Sequence, residues 1–171
     1  MATNVVELRT PQGRESLDQL LESVTITCLE DIHDAAVNLA RVAKERGMQI
    51  GVCDDISSKE PMVDIDGTIL NADIFRWLDD GARWWEDHRL ALHSPLPRAC
   101  RYESEVFWAN ATGFFTRQPN PYLDEMSLDN FEKRALTKAS IVVPVHLPFG
   151  QIGAVCFVSR DASRTDLSAE Y

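Results

Sequence analysis

Basic residues are in short supply: 17 Lys and Arg stand against 27 Asp and Glu, a formal net charge of −10 over 171 residues. A chain so acidic repels phosphate, which argues against a grip on DNA or RNA by this segment alone. Cysteine is scarce and scattered. Cys28, Cys53, Cys100 and Cys156 form no CxxC pair and no Cys/His cluster, a spacing that predicts buried thiols in a reducing cytoplasm and no zinc site or disulfide framework. No apolar run approaches the roughly 20 residues of a membrane-spanning helix. No basic stretch leading into an apolar one marks a signal peptide. The phosphate loops GxGxxG and the P-loop are missing, as is the GxSxG nucleophile elbow. His88 and His93 find no third metal ligand at a sensible spacing. These absences predict a soluble cytoplasmic chain, without a cofactor or metal, in which nothing clearly spells an enzyme.

The length and the composition, 44% apolar and 26% charged, fit one globular domain with a full core. We read residues 1–12 as an extended arm and 13–171 as the domain. A helical pattern runs from about Arg14 to Arg46, broken near Val24–Thr27 by β-branched residues. It places Leu29, Ile32, Ala36, Leu39 and Ala43 on one face and ends at Gly47. Met48–Cys53 and Met62–Ile65 read as strands. Asn71 can cap a helix over Ala72–Leu92. Glu105–Ala109 is a brief strand candidate, Arg117–Pro121 a loop, and Ser127 opens a helix to about Lys138. Ser140–Leu147 and Ile152–Ser159 are strong strands, antiparallel because Pro148-Phe149-Gly150 is too short a link for anything else. The order predicts an α+β fold with helices flanking an antiparallel sheet. Asp166–Tyr171 reads as the first turn of a helix, which suggests that a longer protein continues beyond it.

Val63-Asp64-Ile65-Asp66-Gly67-Thr68-Ile69-Leu70 contains DxDGT, which resembles the nucleophile motif of haloacid-dehalogenase-type phosphatases. The resemblance implies Asp64 as nucleophile, Asp66 as acid/base, and magnesium. The context differs. No long buried strand precedes the motif, Asp79-Asp80 follows too soon, and no acidic pair follows the strands after residue 140. A turn between a strand and the next helix accounts for the same letters.

The densest aromatic stretch holds Trp84-Trp85, then the rigid His93-Ser94-Pro95-Leu96-Pro97, then Phe107-Trp108. Large rings beside polar tips are the usual walls of a cavity for a small apolar ligand. The order WxxxxxxxxSP from Trp85, Trp108, Val143-Pro144-Val145 and Gly150–Gly153 resembles the autoinducer-binding domain of LuxR-type quorum-sensing regulators. The likeness covers about residues 75–160. It implies a GAF/PAS-like α-β-α sandwich with the ligand between sheet and helices.

By that resemblance Trp85 takes the place of a pocket tyrosine, and Pro95 and Trp108 match. Ser94 stands where the family's aspartate accepts the amide proton of an acyl-homoserine lactone, and Ser140 stands near a glycine position. The family's earlier tryptophan falls near Gly81, where Trp77 or Trp84 could substitute. A carboxylate–amide bond is worth about 1.5–3 kcal/mol, so Ser94 points away from a lactone. The expected ligand site comprises Trp85, Ser94, Trp108, Trp84, Tyr102, Phe107 and Ser140. The expected ligand is a hydrophobic metabolite other than a standard lactone. The resemblance further implies transcription regulation as a homodimer, with DNA bound through a C-terminal helix-turn-helix domain missing from this chain. Two alternatives stand beside it: the phosphatase, and an interaction module with a solid core around Trp108.

Overall fold

The computed structural model describes residues 16–58, 60–78, 83–87 and 93–171; the arm expected over 1–12 lies outside them. Helix α1 (Leu17–Val24) starts where Ser16 and Gln19 form a reciprocal capping box, and it stops before the β-branched run at Thr25. Helix α2 (Asp31–Glu45) follows a turn that Asp31 ties together, its carboxylate accepting from the Thr27 amide, the Thr27 hydroxyl and the Cys28 amide. Ile32, Ala36, Leu39 and Ala43 face the core as their spacing predicts. Leu29 does not: it precedes the helix and is exposed. Gly47 ends the segment at φ +69°, the left-handed conformation that glycine takes at no steric cost.

Among the described residues, five strands are present: β1 (Met48–Cys53), β2 (Phe107–Asn110), β3 (Gly113–Thr116), β4 (Ala139–His146) and β5 (Ile152–Ser159). They form one antiparallel sheet in the order β1-β5-β4-β2-β3, giving an α+β architecture with helices against the sheet. The β4–β5 hairpin pairs His146 with Ile152 through Ser140 with Val158. Alternation along the strands sends side chains to two cores. On one face Phe107, Ala109, Val142 and Ala154 meet Leu96, Ala99, Leu123, Phe131 and Ala135. On the other, Met48, Ile50, Val52, Trp108 and Ile141 meet α2, Leu70, Phe75 and Leu167.

Several expected elements are redrawn. Met62–Ile65 is no strand; it contributes a single bridge, Val63 to Ile69, around a tight turn. Among the described residues, the helix expected from Ala72 begins as the short α3 (Leu70–Asp73), with Ile69 at its N-cap. Asn71 does not cap it. Its side chain is buried, accepting from the Met62 amide and donating to the Val52 carbonyl, so it is spent tying this segment to the edge of β1. The chain leaves the helix after the Phe75 amide reaches back to the Leu70 carbonyl, and the Trp77 indole then lies on Gly51 of β1. A 3₁₀ turn covers Trp84–Glu86; Asp79, Asp80, Gly81, His88 and residues 89–92 lie outside the described residues.

Further on, α4 (Pro95–Ala99) starts directly after Ser94, and α5 (Pro121–Asp124) is capped by Asn120. The helix expected from Ser127 shrinks to α6 (Phe131–Ala135), bounded by left-handed Asn130 and Leu136. The Ser127 hydroxyl pairs with Asp129 and caps nothing. At the end, Asp166 accepts from the Ser168 amide and Leu167 is fully buried, its carbonyl accepting from the Glu170 and Tyr171 amides; the chain makes a single turn where the sequence predicts the start of a helix.

Candidate ligand cavity

On the sheet face that carries Phe107 and Val142, a cavity of about 70 Å³ lies over β1 and β5. Gly51 and Cys53 of β1 and Ala154 and Cys156 of β5 form its floor. The pairing of Gly51 with Cys156 and of Cys53 with Ala154 makes that floor continuous. Trp77, Trp85, Leu96 and Leu136 line it beside Ile56, whose amide is held on the Ile152 carbonyl at 2.8 Å. Asp55, Ser58, Glu60, Asn71, Asp87 and Ser94 supply its polar lining groups.

Gly51 suits its neighbour. A Cβ there would meet Trp77 at 3.3 Å, so any larger residue would crowd the indole and push it off the strand by a few tenths of an ångström. Ser94 is 5% exposed and occupies the N-cap position of α4, yet its side chain caps nothing. The floor thiols are held protonated. Burial, reinforced by the charges of Asp54 and Asp55, pushes Cys53 up to about 12, and burial pushes Cys156 up to about 12. Burial and the neighbouring Cys156 and Cys53 raise Cys100 as well. Such thiols act as apolar, polarisable surface and not as nucleophiles.

The residues expected to form one site fall in different places. Trp85 and Ser94 line the cavity together. Trp108 lies on the opposite face of the sheet, its ring stacked on Phe115 with centroids 3.9 Å apart. The strand alternation responsible puts Phe107 on the cavity's face instead, but fully buried against Phe114 and away from the lining. Tyr102 is exposed and stacks on Tyr122. Ser140 is buried within β4, its hydroxyl donating to the Phe157 carbonyl of β5. The side chain of Trp84 lies outside what is described. The sequence reading missed Gly51, Cys53, Ile56 and Cys156. Only the β1–β5 pairing assembles them, and no local pattern announces it.

DxDGT is a turn. Asp64 is buried, with one carboxylate oxygen accepting from the Asp66 and Thr68 amides and the other 2.7 Å from His33 Nδ1. The His33 contact, with the turn amides, holds the carboxyl below its ordinary range. Asp66 is exposed on the turn. A nucleophile needs an unencumbered oxygen facing substrate, and both oxygens of Asp64 are occupied by the fold. Among the described residues, no group of three or more His, Cys, Asp or Glu could hold a metal ion, and no helix is long and apolar enough to cross a membrane. No family model and no curated protein matches the chain.

Proposed function

We propose that this chain is a small-molecule-sensing domain of the LuxR regulator type, which binds an apolar ligand between its sheet and the segment carrying Trp77 and Trp85. The observation that carries the reading is the cavity itself. Two indoles, Leu96 and two buried thiols line it on one sheet face, and of the residues expected from the sequence Trp85 and Ser94 stand there. Trp85, Ser94 and Pro95 in their shared order support the family assignment. In the proposed whole protein, a cytoplasmic homodimer, the ligand acts by linkage. Binding only the folded state, it adds about 2.7 kcal/mol at a hundredfold excess over Kd and shifts the population able to bind DNA through a helix-turn-helix domain.

The size of the cavity limits the ligand. An engineered apolar cavity of about 150 Å³ holds benzene. The present volume is about half that, so a drug-sized ligand enters only if the Trp77 or Trp85 wall moves outward. Titration of candidate ligands against tryptophan fluorescence tests the reading, comparing Trp85→Ala with Trp108→Ala. Binding weakened at least about tenfold by the first change and unaltered by the second is expected, since Trp108 stands on the far face. The opposite order would overturn the proposed site, and tight binding of long-chain homoserine lactones would overturn the proposed ligand class.

A further inference from the structure

The polar groups of the cavity are distributed unevenly. Its walls and floor are apolar, whereas Asp55, Glu60 and Asp87 stand among its lining residues, and the described lining includes no Lys, Arg or His. Asp55 accepts a hydrogen bond from the Ser57 amide at 2.8 Å. Neither it nor Glu60 belongs to an ion pair among the described residues. Among the described residues, then, no ion pair neutralises their charge. The negative field reaches the floor as well, since Asp54 and Asp55 add to the effect of burial on the Cys53 thiol. Ser94 adds a second kind of group, a hydroxyl on a residue 5% exposed that lines the cavity and caps no helix. The aromatic wall also tolerates a cation. The guanidinium of Arg83 already sits 5.9 Å from the Trp85 ring centroid, its charge met by Glu86 at 2.8 Å.

We infer that the ligand is a cationic amphiphile, its apolar body against Trp77 and Trp85 and its ammonium or guanidinium head at Asp55 and Glu60. The inference deepens the proposed sensor function and rests on it. A carboxylate or phosphate head would be repelled by the charge of Asp55 and Glu60. A neutral head would leave that charge uncompensated. A buried hydroxyl such as Ser94 is matched by a ligand that brings a hydrogen-bonding group beside its apolar body.

Three probes with one tail separate these cases: n-octylammonium, n-octanol and n-octanoate, titrated below their micellar range by calorimetry at low and high salt. The ammonium is expected to bind at least about fivefold more tightly than the alcohol, the factor equivalent to about 1 kcal/mol for a partly exposed ion pair. The carboxylate is expected to bind most weakly, and the ammonium preference to shrink as salt screens it. The double substitution Asp55→Asn with Glu60→Gln should erase the preference, bringing ammonium and alcohol to equal affinity, with folding checked by circular dichroism. Should that variant fail to fold, Glu60→Gln alone, at an exposed position, should reduce the preference. Equal affinities for ammonium and alcohol, or a preference that survives the substitutions and high salt, would overturn the cationic head and leave the apolar cavity reading intact. Absence of binding by all three would instead overturn the sensor reading on which it rests.

Discussion

At single positions, the same residue type does different work according to what its polar atom touches. Ser16 and Ser94 both precede helices, but the Ser16 hydroxyl accepts from the Gln19 amide and the Ser94 hydroxyl caps nothing. Ser16→Ala should cost about 1 kcal/mol at the helix terminus. Ser94→Ala should shift the urea midpoint less than that while weakening ligand binding, a contrast that chemical denaturation and calorimetry read separately. Asp31 makes a second case. Its hydrogen bonds from Thr27 and Cys28 hold the carboxyl at about 2 against an ordinary 3.8. A folded-state value below the unfolded one stabilises the fold above the ordinary value, and the contribution is lost as pH falls from about 3.8 through about 2. Wild type should therefore exceed Asp31→Asn in urea midpoint near neutrality, and the gap should close below pH of about 2. Asp64, lowered chiefly by His33, acts in the same direction.

Elements were legible where local pattern and tertiary packing agree. The β4–β5 hairpin, β1 and the inner face of α2 follow from alternation and three-four spacing, because each buries what its pattern predicts. The segment after Asn71 was illegible for a physical reason. Its Trp and Leu residues fit a helical stripe, but Asn71 bonding to Val52 and Trp77 stacking on Gly51 pull the chain out of the helix. Strand β3 escaped notice because Gly113–Thr116 is short and half-buried, and only pairing with β2 defines it. The candidate site was half legible: Trp85 and Ser94 lie where expected, whereas Trp108 required knowing which way β2 faces. Gly51→Val tests the glycine–indole contact at this scale. It should cost about 1–3 kcal/mol, as crowding a packed site does, and should change tryptophan emission and weaken ligand binding together.

Across the whole molecule the cysteines sort by burial. Cys28 is exposed, whereas Cys53, Cys100 and Cys156 gather in one core. A colorimetric thiol reagent should find Cys28 alone in the native protein, slowed because its hydrogen bond to Glu30 raises its thiol, and all four in denaturant. Rapid native reaction of Cys53 or Cys156 would mean that the cavity opens far more readily than its packing implies. The sheet order carries a kinetic consequence. Because β1 sits beside β5, Met48 lies opposite Ser159, and the cavity floor joins two strands from opposite ends of the described chain. Closing so long a loop is the slow, entropically costly part of assembling such a sheet. If that pairing forms after the rate-limiting barrier, the refolding rate should not respond to ligand, while the unfolding rate should fall in proportion to occupancy. Stopped-flow chevrons with and without ligand would then differ in one limb only, and the bound state would gain lifetime without any gain in the speed of its formation.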